Sequence, residues 1–176
     1  MRPIYALVPL LLAACVTPAA TQDTGGIAAP LYVRHEMQTE VNPAIVAIWE
    51  IGNAAANETG GIDGTLMTPA NWDDLATAAN RLAIANERMG MAADIRAASP
   101  GNVATEDYEV TMAAVQTYLD ADPEGFRQLS RDFAQLSRTL ETAARARDVA
   151  TASDLVTRMD AECSVCHTRY WYAEAT

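Results

Sequence analysis

Asp122-Pro123-Glu124-Gly125-Phe126-Arg127-Gln128-Leu129-Ser130-Arg131-Asp132-Phe133-Ala134-Gln135-Leu136-Ser137-Arg138-Thr139-Leu140-Glu141-Thr142-Ala143-Ala144 is the stretch that decides the fold class. Asp followed by Pro is an N-cap with proline at the first helical position. Phe126, Leu129, Phe133, Leu136, Leu140 and Ala143 then recur at steps of 3, 4, 3, 4 and 3. That heptad spacing predicts a long amphipathic helix whose apolar stripe packs on other helices. Arg145 and Arg147 fall in its last turn, where cations suit the helix dipole.

Working outward, three more segments carry the same period. A first helix is predicted from about Leu31 to Ala56, with Met37, Val41, Ala44, Ile45 and Ile48 on one stripe. Pro43 lies inside that pattern and implies a kink or a helix restart. Glu58 to Met67 is a Gly-rich loop, and Thr68-Pro69 repeats the cap-plus-proline start. The second helix follows with Trp72, Leu75, Ala79, Leu82, Ala83, Asn86 and Met89 on one side, before Ser99-Pro100-Gly101. A short helix is expected from Thr111 to Leu119. The last helix is read from about Ala150 to Tyr172, with Ala152, Leu155, Val156, Met159, Cys163, Cys166 and Tyr170 inward. No strand run with hairpin signals is found. The fold class expected is all-α, an antiparallel four-helix bundle over residues 31–176.

The 176 residues suit one domain, and half of them are hydrophobic, so a core can form. Acidic residues number 23 against 12 basic ones, all arginine, for a net charge of −11. That balance argues against nucleic-acid binding, where phosphates must be neutralised. It suits redox protein partners with a basic docking surface.

Residues 1–14 read as a signal peptide: Met1-Arg2, then an apolar run from Ile4 to Leu12. The run is shorter than the roughly 20 residues a membrane-spanning helix needs. Leu12-Ala13-Ala14-Cys15 resembles a bacterial lipobox, in which the cysteine is lipidated and becomes the mature N-terminus. Residues 15–30 carry Gly25-Gly26 and two prolines without apolar periodicity, as a flexible tether does. A reach of about 20 Å would let the domain stand just off a membrane. The implied location is the periplasm, with a lipid anchor on Cys15.

One motif carries chemistry: Cys163-Ser164-Val165-Cys166-His167. C-x-x-C-H is the attachment sequence of c-type haem. Two thiols one helical turn apart each bond a haem vinyl group, and the following imidazole reaches the iron from one face. A thioredoxin-like pair would need a βαβ setting. A disulfide within one helical turn has poor geometry. A zinc site would need four ligands. Covalent haem of this type is built outside the cytoplasm, and the leader supplies that route.

A chain of helices with C-x-x-C-H near its C-terminus resembles the class II cytochromes c: cytochrome c′ and its low-spin, Met/His-ligated relatives. The resemblance covers roughly Leu31 to Trp171 and is sharply specific only from Cys163 to Tyr170. It implies an up-down-up-down bundle, one covalent haem c held by Cys163 and Cys166, and His167 as proximal ligand. It also leaves room for a homodimer. Family members have an aromatic residue and then Arg after the motif. Tyr170 matches, but Trp171 stands where Arg is expected and Arg169 comes one residue before the tyrosine. Trp171 is a candidate to cover the haem edge.

In such a bundle the start of the first helix lies beside the end of the fourth, which brings His35 and Met37 near the distal face. They are about 200° apart around a helix, so only one faces the iron. Met37 shares the apolar stripe; His35 shares its side with Gln38, Thr39 and Asn42. Low-spin members take a Met from early in the first helix, so Met37 is the expected sixth ligand. Met89, Met91 and Met112 read as core or loop residues. Of the aromatics Trp49, Trp72, Phe126, Phe133, Tyr170 and Trp171, most belong to the core and some should line the haem.

Two functions stay open at this level. With His167 and Met37 both on the iron, the protein is an electron carrier and not an enzyme, because no site is left for a substrate. Without Met37, a five-coordinate iron binds nitric oxide or carbon monoxide. The leader yields its own prediction. Cys15→Ser should move the protein into the soluble periplasmic fraction or block its processing. Stable anchoring takes more than one acyl chain, so mass spectrometry of the mature N-terminus should find Cys15 multiply acylated; an unlipidated chain starting after Cys15 would end the idea.

Overall fold

The computed structural model of the chain describes residues 29–106 and 109–171. The leader 1–14, most of the tether and Tyr172 lie outside the described residues. In chain order the elements are β1 (Leu31–Tyr32), α1 (Val33–Glu36), a π-helical segment (Met37–Val41), α2 (Asn42–Ala54), α3 (Pro69–Met91), β2 (Ile95–Arg96), α4 (Met112–Ala121), α5 (Pro123–Ala146) and α6 (Val149–Tyr170). The architecture is mostly helical, as expected of an all-α chain. No helix among the described residues is long and apolar enough to cross a membrane.

Short polar side chains start the helices. Thr68 and Asn71 form a reciprocal capping box ahead of α3, with Pro69 at its first position. Thr111 accepts from the Ala114 amide at α4, Asp122 from Gly125 at α5, and Asp148 from Thr151 at α6. Helix α5 ends in a Schellman turn: Asp148 N–H bonds the Ala143 carbonyl and Arg147 N–H that of Ala144. Arg147 takes the left-handed conformation this requires, at φ 54°. The turn is so tight that α6 begins two residues later and folds back along α5.

Helices α3 and α5 run in opposite directions. Arg127 and Arg131, early in α5, donate to the carbonyls of Ala92 and Gly90 at the end of α3. Arg138, farther along α5, reaches back to Glu87 at 2.8 Å and to Asn80. A Cβ at Gly90 would lie 2.7 Å from Arg131 Cγ and 3.3 Å from the Arg127 carbonyl oxygen. The absence of a side chain there permits this approach of helix to backbone.

The close approach rotates α5 from the phase its heptad stripe suggests. Phe126, Leu140, Ala143 and Ala144 are buried as expected, but Leu129, Phe133 and Leu136 are only half-buried. Ser130, Ala134 and Ser137 are buried in their place. Both serines return their hydroxyls to carbonyls one turn back, Phe126 and Phe133, so they enter the interior with their donors satisfied. Small side chains fill the tight seam, and the large ones stand beside it.

The first helix also differs from its reading. Leu31 and Tyr32 are not helical; they pair in parallel with Ile95 and Arg96. Gln116 of α4 braces this ladder, accepting from the Ala97 amide and donating to the Ile95 carbonyl. Two-residue strands have no period to read, so the pattern missed them. The interruption at Pro43 is expressed as the π-helical segment just before it rather than as a break. Helix α4 lies within a residue or two of its expected place and buries Met112, Val115 and Leu119. Helix α6 ends at Tyr170.

The rotated phase of α5 makes a direct stability prediction. Leu140 is fully buried, so Leu140→Ala should cost about 2–5 kcal/mol. Leu129→Ala, on the same stripe, should cost less than half as much. Chemical denaturation of both variants measures the pair; equal losses would contradict the rotated face.

Candidate functional site

The last two turns of α6 bring Cys163, Cys166 and His167 to one face, since positions three and four apart are neighbours on a helix. One turn earlier Met159 is buried and anchors that face to the core. Ser164, Val165 and Thr168 are exposed. Cys163 and Cys166 are free thiols. Burial pushes both up to about 11, helped at Cys163 by the carboxylates of Asp160 and Glu162 and at Cys166 by its neighbour Cys163. They are therefore protonated at neutral pH, the reverse of an activated redox dithiol, whose thiolate is stabilised. Burial holds the His167 imidazole below its ordinary pKa, which favours the neutral form that ligates metals.

These three side chains open into a cavity of about 500 Å³. Met37, Val41, Ile45 and Trp49 line it from the π-helical segment and α2, Asn86 and Met89 from α3, and Phe126, Leu129, Ser130 and Phe133 from α5. Leu129 and Phe133, left half-buried by the rotation of α5, form part of this wall. Two buried polar wall residues are occupied with backbone: Asn86 Nδ2 donates to the Leu82 carbonyl at 2.9 Å, and Ser130 Oγ to that of Phe126 at 2.9 Å, while Asn42, Ser164 and Thr168 of the lining are exposed. The interior surface is thus mainly apolar, with Asp160 and Glu162 at its rim. Val46, another lining residue, is 45% exposed and marks the side that opens to solvent.

The expected site residues divide cleanly. Cys163, Cys166, His167 and Met37 line one cavity. His35 is exposed and does not line it. Trp171 packs half-buried against the core outside the cavity wall, so it does not cover the site. Of the aromatics, Trp49, Phe126 and Phe133 line the cavity, while Trp72 and Tyr170 are buried elsewhere. Met89 is a core residue and a wall residue at once. Nothing in the sequence singled out Asn86 and Ser130 as wall residues; a buried Asn on an apolar stripe was the available hint.

The cavity fits a haem. Its volume lies within the roughly 300–1,000 Å³ usual for pockets that take small molecules and cofactors. Its walls are apolar, and two thiols, an imidazole and a thioether converge on it. Among the described residues no three His, Cys, Asp or Glu side chains group to hold a metal ion. The donors that line it are the Met37 thioether, the two thiols of Cys163 and Cys166, and the His167 imidazole.

The end of α6 is held by the start of α5. Asp122 caps α5 through the Gly125 amide, and its carboxylate also accepts from Arg169 and, at 3.2 Å, from the Tyr170 hydroxyl. That hydroxyl lies 3.0 Å from the Asp122 carbonyl as well. The Tyr170 ring meets Phe126 edge-on, centroids 5.5 Å apart. Burial is the main reason that the Tyr170 phenol is pushed up to about 12. Arg169 is committed to this ion pair. The sequence showed Asp122 only as a cap.

Comparison with protein-family models, curated proteins and solved structures finds no match to this chain.

A Cβ at Gly125 would fall 2.1 Å from Asp122 Oδ2 and 2.8 Å from the Tyr170 hydroxyl. Gly125→Ala should therefore destabilise the protein by about 1 kcal/mol, the usual worth of a helix cap, although Ala is the better helix former. Thermal unfolding measures it; a stabilised variant would show that the clamp is not strained by the methyl group.

Proposed function

We propose that this chain is a periplasmic mono-haem c-type cytochrome that carries electrons, tethered to a bacterial membrane through Cys15. In this reading its principal helices form an antiparallel four-helix bundle of the class II cytochrome c kind. The observation that carries the proposal is the shared cavity: Cys163, Cys166 and His167 enter it from α6, and Met37 enters it from the segment before α2. Cys163 and Cys166 would hold the haem c covalently, and His167 and Met37 would bind its iron. Bound there, the haem supplies a one-electron iron couple, whose potential a Met/His ligand pair raises.

The chain's own residues account for the remaining requirements. The imidazole of His167 is kept neutral by burial. Ile45, Trp49, Phe126, Leu129 and Phe133 exclude water from the walls, and so limit solvent reorganisation when charge changes. With His167 and Met37 both binding the iron, no site would be left for a substrate, which is why the reading is of a carrier and not an enzyme. The cavity opens beside Val46, Asp160 and Glu162, and the net charge is −11. An acidic protein with its redox group near such a mouth suits a redox partner with a basic docking surface.

The covalent bond and the ligand are separately testable. Acid-acetone should fail to extract haem from the purified protein, and Cys163→Ser with Cys166→Ser should abolish attachment. Met37→Ala should turn a low-spin resting spectrum high-spin and permit direct carbon monoxide binding; His35→Ala should leave the spectrum unchanged. Extractable haem sinks the c-type assignment. A high-spin spectrum in the unmodified protein replaces the carrier with a five-coordinate protein that binds nitric oxide or carbon monoxide.

A further inference from the structure

Pro43 has no N–H. In an unbroken α-helix the donor at that position would serve the carbonyl of Thr39, four residues back. The chain here is π-helical over Met37–Val41, and the Asn42 amide bonds the Met37 carbonyl. The Thr39 carbonyl is taken up from outside the helix. Arg81 of α3 donates to it from Nη2 at 2.5 Å, and from Nε to Glu40 Oε2 at 2.8 Å. Farther along α3, Arg88 meets Glu36 at 2.5 Å. Met37 therefore lies between two points at which its segment is fastened to α3.

The ion pairs by themselves explain little. The Arg81 side chain is 47% exposed, and surface pairs of this kind contribute little to stability. The carbonyl is different, because the proline removes its ordinary donor and the guanidinium restores one. π-Helical turns are uncommon and recur at functional sites. Here the turn begins at Met37, which lines the same cavity as His167.

We propose that Arg81 is a positioning residue for Met37: by donating to the Thr39 carbonyl, whose α-helical donor Pro43 removes, it fixes the π-helical turn that presents the thioether to the cavity. The inference rests on the reading of Met37 as an axial ligand.

A double-mutant cycle on the full, haem-loaded protein tests it, with Arg81→Ala, Pro43→Ala and the pair. Arg81→Ala should raise the high-spin fraction and speed carbon monoxide binding to the reduced protein about tenfold, whereas in the Pro43→Ala background the same change should act less than about threefold, because the substitution restores a backbone N–H that can serve the Thr39 carbonyl. Glu40→Gln should keep the parent spectrum. Amide exchange over residues 37–45 gives a readout independent of the iron, and it should quicken in Arg81→Ala but not in the pair. An equal effect of Arg81→Ala in both backgrounds, or none in either, overturns the inference while leaving Met37 on the iron. A parent protein that is high-spin and unaltered by Met37→Ala removes the ligand reading, and this inference falls with it.

Discussion

The seam between α3 and α5 is the constraint on which the rest of the structure depends. Gly90 lets backbone approach side-chain stem and carbonyl, and three arginines of α5 fix the register by reaching carbonyls and side chains along α3. An approach this close admits only small residues between the helices, hence Ser130, Ala134 and Ser137 on one side and a run of buried alanines on the other. The large residues of α5 are consequently turned aside. Leu129 and Phe133, which a uniform bundle would bury fully, become walls of a cavity. Tight packing along one face thus creates the space on the next.

That space is framed by two fastenings of different chemistry. At the end of α6 the Asp122 carboxylate and carbonyl hold Arg169 and Tyr170, fixing the turn that carries the C-x-x-C-H motif. On the opposite wall Arg81 and Arg88 of α3 hold the segment on either side of Met37. Each pairs a charged group with a backbone carbonyl or carboxylate, and such bonds are stronger and more directional than neutral ones. All of these cations are arginines, consistent with the absence of lysine from the chain. A planar, five-donor guanidinium can grip a carbonyl and a carboxylate together, as Arg81 does, and a lysine ammonium is less suited to that geometry.

The electrostatics of the thiols belong with this frame. Burial raises both thiols, helped at Cys163 by Asp160 and Glu162 and at Cys166 by Cys163, while Arg169 pulls Cys166 the other way. A pair meant for redox cycling needs the opposite environment, a helix N-terminus or neighbouring cations. The motif here sits at a helix C-terminus among carboxylates.

The helices were legible in the sequence because caps and period are local. Asp122-Pro123, Thr68-Pro69 and the apolar repeat of α3 each bear on residues within a few turns, and the helices start where those signals stand. The C-x-x-C-H spacing likewise names its chemistry without any fold, and the stripe through Met37, Val41 and Ile45 separated Met37 from His35. The two-residue ladder at Leu31 carried no local signal, since it is held by contacts with Asp94 and a glutamine of α4. The true phase of α5 was hidden for a related reason. Periodicity identifies an apolar side, but which part of that side packs tightest depends on how closely a partner helix can come. The same holds for Arg81: a lone arginine on α3 means little until folding sets it against a carbonyl whose α-helical donor a proline, far earlier in the chain, has removed. Sequence alone determined the helices and the spacing of the motif; only tertiary structure decided which side chains share the cavity, because that is set by contacts between residues distant in the chain.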